Sequence, residues 1–498
     1  MNKIKKYSDF LDGINRVAYK DVWMLSNPTL SKNPYTKTKL LHNIIDNKIV
    51  NNSLLMSFIF FYIKNILLFI SFLFVYAYSK FYNDKNENIS NNMVLIDSFY
   101  GDSELSEGVM KKDNYFLDLY NYMEVNSIDY CITPKFYNHK NPLKYIKFIK
   151  TVKNDSSKTF IDVFLLTPTD LKKVFKFILF YPFAVFKLRG SVKGNSPINK
   201  MFKSDLMYSL SGTDFYPYIR YLFGRRLSKE IKGKNIKVIS WCEYQVYDKN
   251  FYKGLRSFSD NLKIYGTQFL FKFPTYSCLY IPESDQRLGI APDTILVTGD
   301  YYIPSKSVYS YKAGPAFRYS KIYHEKYSVN KHKDSVIVML PYVQSDAFNI
   351  IKILKGSHML KKCRIDFKIH PDFVHKKYKY TEKMEEGWKI IEKQPNLNFY
   401  SVVISSGSGS VMEFACSGLS VIIIKSFSSF TTNPMPEAVK GENWNLANNK
   451  DIDVVYDELL TFKKNNIDKF KSNVIFYRDN FLSQVTPELI RGNFDFHR

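Results

Sequence analysis

Cysteine is scarce and scattered in this chain. The five thiols (Cys131, Cys242, Cys278, Cys363 and Cys416) are odd in number and form no CxxC pair. That argues against a disulfide framework or a structural zinc and for a reducing compartment. The eight histidines make no HExxH or related pattern, and His370 and His375 are separated by a proline. No protein-bound metal and no cofactor are expected. No arginine-rich tract or zinc-finger spacing is present, so nucleic acid is excluded as a partner. The net charge is nonetheless +24, from 71 Lys and Arg against 47 Asp and Glu. The abundance of Lys, Asn, Ile, Tyr and Phe that an AT-rich genome produces accounts for part of this. Basic residues spread along the chain also suit an anionic membrane surface. The first fifty residues are polar and basic, so no secretory leader is expected.

One long apolar run is present, Leu54–Tyr78, and it is long enough to span a bilayer. Lys64 and Asn65 interrupt its middle, where a charge is costly. Many lysines precede the run and few follow it closely, which would keep the N-terminus cytoplasmic. A single span would then export the rest of the chain. The preferred expectation is one helix, or two short ones broken near Lys64, lying on the membrane or packed against the domain; a true span is the alternative. Val174–Phe186 is a second apolar stretch, too short to span and containing Pro182. It reads as an interfacial segment near the acceptor side, or as a core helix ending at the proline.

The richest stretch is Tyr400–Lys425. Ser401–Ile404 reads as a buried parallel strand, Ser405-Ser406-Gly407-Ser408-Gly409-Ser410 as a turn, Val411–Cys416 as a helix and Leu419–Ile424 as the next strand. A helix N-terminus with free amides behind such a turn suits a phosphate. A βαβ unit of this kind places a nucleotide at the carboxyl edge of a parallel sheet; an ordinary βαβ unit with a serine cap is the bland alternative. Upstream, Ile365, Phe367 and Ile369 alternate with charged residues, and the strand ends in His370-Pro371. A histidine at that edge can donate to a phosphate or assist a leaving group, or simply sit satisfied in a turn.

The His-Pro motif followed by the serine pair resembles bacterial GT-B glycosyltransferases that use CMP-activated sugars. These are the sialyl-, polysialyl- and Kdo-type transferases of capsule, O-antigen and lipopolysaccharide assembly. The resemblance covers roughly residues 235–430. It implies that His370, Pro371, Ser405 and Ser406, with Gly407 and Ser408, hold the CMP phosphate. The GSxxE turn and helix is similar to GT-B enzymes generally and implies that Glu413 holds the ribose. It further implies an α/β fold of GT-B type: two Rossmann-like domains with parallel sheets facing an interdomain cleft. The partners implied are a nucleotide-sugar donor, serving as co-substrate, and a glycan or lipid-linked glycan acceptor. The site of action implied is the cytoplasmic face of the bacterial inner membrane. UDP-, GDP- or dTDP-sugar transfer, polyol-phosphate transfer of the teichoic-acid type, and a non-catalytic scaffold role stay open.

A GT-B base comes from the first domain. Val238–Trp241 reads as a strand, with Glu243 just past its end and Tyr244, Gln245 and Asp248 following. A carboxylate there, beside aromatics, has reason for a raised pKa. The acidic-acidic-glycine motif of the sialyl-type enzymes is missing, so Glu243 inherits the role by position. It would be the base of an inverting reaction or the nucleophile of a retaining one; capping a helix, or pairing with Lys249 or Arg256, is the structural alternative. Asp97, Gln245 and Arg256 are further candidates for acceptor or sugar contacts.

The expected organisation is a helical, membrane-associated extension over 1–90 and a first Rossmann-like domain over 91–300. A linker over 301–332, a donor domain over 333–475 and a C-terminal helix over 476–498 follow. Strands are expected at Asn92–Tyr100, Thr159–Thr167, Ile236–Trp241, Leu262–Gly266, Thr294–Gly299, Ser335–Pro341, Arg364–Ile369, Val402–Ile404 and Ser420–Ile424. A helical stretch at Val454–Phe481 should cross back to brace the first domain. The Asn-rich stretches 83–92 and 443–450 read as loops.

Overall fold

The computed structural model describes residues 2–32, 54–81, 89–101, 112–113, 115–154, 158–259, 261–273, 276–305, 310–324, 335–392, 396–426 and 431–496. Among these are two six-stranded sheets in which every paired neighbour is parallel. The first contains β1 Val94–Asp97, β2 Tyr130–Ile132, β3 Ile236–Trp241, β4 Leu262–Gln268, β5 Thr294–Val297 and β6 Tyr311–Ala313, in the order β2-β1-β3-β4-β5-β6. The second contains β7 Ser335–Met339, β8 Arg364–Lys368, β9 Lys389–Ile390, β10 Val402–Ser405, β11 Ser420–Ile424 and β12 Trp444–Ala447, in the order β9-β8-β7-β10-β11-β12. The second is the doubly wound Rossmann order. Val402–Ser405 and Ser420–Ile424 are buried throughout, as continuous β-branched runs covered by helices on both faces must be. Two Rossmann-like domains facing a common cleft make this a GT-B fold.

Several expected elements differ. Thr159–Thr167 is not a strand: only Thr159 bridges Ile132, and Asp162–Leu165 is a helical turn. Its apolar side chains pack under other helices, so tertiary contacts override β-propensity there. Residues 311–313 lie inside the expected linker yet extend the first sheet as β6, so β5 does not close it. Part of the expected 443–450 loop is the edge strand β12, because the Trp444 ring is buried with its Nε1 donating to Pro436 O at 2.7 Å. Most of the 83–92 stretch lies outside the described residues. Pro182 does not end its helix, which runs unbroken over Pro168–Ser191.

The N-terminal extension packs onto the first domain. The apolar run is one continuous helix, Leu54–Lys80, with no break at Lys64. Its polar centre faces protein: Lys64 Nζ donates to Ser211 O at 2.9 Å, and buried Asn65 donates to Phe61 O and Thr213 O. Those bonds remove the reason for a break. This helix is long and apolar enough to cross a membrane by length and composition. It packs antiparallel to Pro168–Ser191 through the ring pairs Phe58–Phe183 and Phe69–Phe175. The outer faces of the pair are apolar and open: Leu55, Ile63, Leu67 and Ile70 on one helix, Phe175, Phe180 and Phe183 on the other.

The C-terminal helices Ile452–Asn465 and Ile467–Phe481 do return to the first domain. Phe481 stacks on Tyr301 at 4.0 Å, and Ala316 N donates to Ser483 O. Beyond them Asp495 accepts from Tyr265 OH at 2.6 Å and pairs with Lys263.

Candidate functional site

The loops after β3, β7 and β10, at the carboxyl edges of the two sheets, open onto one interdomain cavity of about 720 Å³. Ligands of open parallel sheets bind at such edges, where the strand order reverses. Trp241, Glu243 and Gln245 line it from the first domain, and Tyr342, His370, Gly407, Ser408, Gly409, Ser410 and Glu413 from the second.

Glu243 is oriented by its neighbours. Gln245 Nε2 donates to Glu243 Oε2 at 2.7 Å and Trp241 Nε1 to Oε1 at 3.3 Å. Between them Tyr244 takes φ +54°, uncommon for a non-glycine residue. That turn of the backbone buries Tyr244, whose hydroxyl donates to Asp285 at 2.7 Å. Glu243 and Gln245 are left facing the cavity. Such strain costs on the order of 1–3 kcal/mol and persists where the surroundings enforce it. Burial raises the Glu243 pKa; the Trp241 hydrogen bond pulls it back, and Asp248 adds to the rise.

On the opposite wall, His370 is half-buried with its ring edge-on to Tyr342 at 5.2 Å. Pro371 opens a 3-10 turn, Pro371–Lys376, that ends the strand segment. Gly407 has φ +66°, and a Cβ there would lie 2.5 Å from Thr432 Oγ1, so the turn requires glycine. Burial pushes the Glu413 carboxyl up to about 7, with Arg318 pulling the other way.

The serine pair is placed otherwise than the motif implies. Ser405 is fully buried and donates to Met339 O at 2.7 Å, tying β10 to β7. Ser406 is buried and does not line the cavity; Gly407–Ser410 does. The helix behind the turn, Val411–Cys416, has only six residues. Its dipole is correspondingly small, and the turn's own amides and hydroxyls are the groups available to an anion.

Two candidates are not brought to the cavity. Asp97 is fully buried in an ion network. Lys135 Nζ lies 3.0 Å from Asp97 and 2.6 Å from Asp248, and Arg220 lies 2.6 Å from Asp97. Lys135 also donates to Trp241 O, so the network anchors the strand end that carries Glu243. Arg256 pairs with Asp293 at 2.9 Å and donates to Ala291 O, away from the cleft.

One cavity residue had no signal in the sequence. Arg318, in the crossing between the domains, is exposed in the cavity over the rings of Tyr115 (5.6 Å) and Tyr319 (5.8 Å). It acts electrostatically on both Glu243 and Glu413 yet makes no ion pair among the described residues. Among the described residues no group of His, Cys, Asp and Glu could hold a metal ion.

No family model matches the chain, and no curated protein matches it. Solved structures are similar in shape. The wall teichoic acid polymerase TagF is 10% identical, with 87% of this chain and 94% of that chain covered and a TM-score of 0.39. A UDP-GlcNAc 2-epimerase from Neisseria meningitidis, bound to UDP-GlcNAc, is 11% identical over 81% and 100%, TM-score 0.42. MurG of Acinetobacter baumannii is 9% identical over 82% and 99%, TM-score 0.38. At such identities and scores the substrates of those proteins say nothing about this one; the fold is read from its own two sheets.

Proposed function

We propose that this protein is a GT-B glycosyltransferase that moves a sugar from a nucleotide-activated donor onto a growing bacterial surface glycan. The observation that carries this is the composition of the interdomain cavity: an oriented carboxylate, Glu243, from the first domain, opposite His370, the Gly407–Ser410 turn and Glu413 from the second. The donor is a CMP-sugar of Kdo or sialic-acid type, supported by His370-Pro371 followed by the serine turn. His370 and the turn amides hold the phosphate, and Glu413 takes the ribose hydroxyls. In an inverting transfer, Glu243 accepts the acceptor hydroxyl's proton as its oxygen bonds to the anomeric carbon. The bond from that carbon to the phosphate oxygen breaks, and its electron pair leaves on the nucleotide, stabilised by His370.

The enzyme works at an anionic membrane surface, on the cytoplasmic face, with a glycan or lipid-linked glycan as acceptor. The open apolar faces of Leu54–Lys80 and Pro168–Ser191 support a monotopic seat, since the polar centre of the longer helix is already bonded to protein.

A thermal-shift screen against CMP, CDP, UDP, GDP and dTDP tests the donor. The expected result is stabilisation by CMP that His370→Ala removes. Loss of one hydrogen bond to a charged phosphate corresponds to roughly 10–100-fold weaker binding. A response to a diphosphate alone would discard the CMP assignment, and no response to any nucleotide would overturn the transferase reading in favour of a scaffold.

A further inference from the structure

Glu243 and Gln245 border a second cavity as well as the interdomain one. It lies inside the first domain and encloses about 190 Å³. Tyr137 also belongs to both, so the two spaces meet at the candidate base. The walls of the inner space are aromatic: Phe99 and Tyr137 stack at 4.8 Å, and Phe136 and Phe148 at 4.5 Å. Tyr216, on a third side, packs edge-on against Phe72 of the Leu54–Lys80 helix. The cavity therefore reaches from the candidate base to the inner side of the helix whose outer face is apolar.

The polar groups in this cavity define what it accepts. Its two cations are committed: Lys135 to Asp97 and Asp248, and the Arg220 terminal nitrogen to Asp97. No uncommitted cation lines it, while Asp162 and Glu243 do, so an anion is disfavoured. What remains are acceptors for hydroxyl donors. The carboxylates of Glu243 and Asp162 line it, and Asp162 accepts from Tyr145 OH and Val163 N on the same oxygen, Oδ1. His139 is satisfied at both nitrogens: Nδ1 donates to Phe136 O at 2.6 Å and Nε2 accepts from Tyr247 OH at 3.3 Å. Burial lowers the His139 pKa, so the ring stays neutral. Flat aromatic walls with a few convergent acceptors suit a compact ligand that is apolar on its faces and hydroxylated on its edges.

We propose that this inner cavity is the acceptor subsite and that it takes an uncharged sugar ring, presenting one hydroxyl to Glu243. The inference rests on the transferase reading for its consequence and on the cavity alone for its binding. Donor and acceptor then approach the same carboxylate from two sides. The acceptor hydroxyl reaches past Glu243 into the interdomain space and gives it its proton as its oxygen bonds to the anomeric carbon, whose bond to the phosphate oxygen breaks with the electron pair leaving on the nucleotide.

The test is saturation-transfer NMR on the full-length protein with the methyl glycosides of glucose, galactose, mannose and N-acetylglucosamine, beside the CMP thermal shift. At least one glycoside is expected to bind the wild type. Ile161→Trp, which fills the cavity, should abolish that binding. Asp162→Ala should weaken it about tenfold, the loss of one hydroxyl acceptor, without adding bulk. Both variants should keep the CMP response. No glycoside binding to the wild type, or binding unchanged in both variants, overturns the subsite. Glycoside binding that persists in a protein responding to no nucleotide sinks the donor reading and leaves the subsite standing.

Discussion

Glu413→Gln has an effect on stability whose sign and size follow from the site. Burial lifts this carboxyl from the ordinary value of 4.5 to about 7. A raised acid holds its proton in the folded state where the unfolded chain has already lost it. The folded protein therefore carries no penalty below pH 4.5, gains one progressively between pH 4.5 and 7, and carries all of it above pH 7. At 1.36 kcal/mol per pH unit the full penalty is about 3 kcal/mol, an upper bound because the carboxyl is open to water on its cavity side. Glutamine has nearly the same shape and no charge. Relative to the wild type, Glu413→Gln should be neutral near pH 4.5 and increasingly stabilised toward pH 8, read as the difference between thermal midpoints across that range. The ribose hydroxyls assigned to Glu413 would favour its ionised form, so CMP binding near pH 7 should release protons from the wild type and fewer from the variant. Calorimetry in buffers of different ionisation enthalpy reads that number. Parallel pH–midpoint curves for the two proteins would refute the placement of Glu413 in a desolvated site, and equal proton release would refute its contact with the nucleotide.

Gly407→Ala should cost roughly 1–2 kcal/mol for the left-handed backbone and add the clash with Thr432 Oγ1. Pairing it with Thr432→Ala should recover the steric part of any lost CMP affinity and none of the backbone part. Lys135→Met leaves buried Asp248 without a cation and Asp97 with Arg220 alone, for an expected loss of about 3–5 kcal/mol in chemical denaturation. Ile63→Glu with Phe180→Glu places charge on the open apolar face and should abolish co-sedimentation with phosphatidylglycerol vesicles while leaving the melting temperature unchanged. Unaltered sedimentation would exclude that face as the membrane seat.

Much of the fold was legible because parallel strands announce themselves. Val402–Ser405 and Ser420–Ile424 are β-branched runs punctuated by serine and glycine, and they appear where the sequence puts them. The Asp162–Leu165 turn and the β12 edge strand misled because packing against neighbours decided them, and no local pattern reports that. The cavity residues divide the same way. Glu243, Gln245, His370, Gly407, Ser408 and Glu413 follow strand ends, where topology directs them to the cleft. Asp97 also follows the rule, yet the Lys135 ammonium captures it; only the three-dimensional neighbourhood of β1 could reveal that. Arg318 sits in a crossing with no periodicity, so its place between two carboxylates had no signal to read.

The return of the C-terminal segment changes how the halves can move. The chain passes from the first domain to the second between β6 and β7, and passes back at Phe481–Ser483, where it meets Tyr301 and Ala316. Two bodies joined at one point can swing and twist in any direction. Joined at two, they behave like a door on a pair of hinges, with one easy rotation about the line through both. Any closing of the cleft is then confined to a single coordinate. Glu243 and His370, on opposite leaves, would meet in the same relation each time the door shuts.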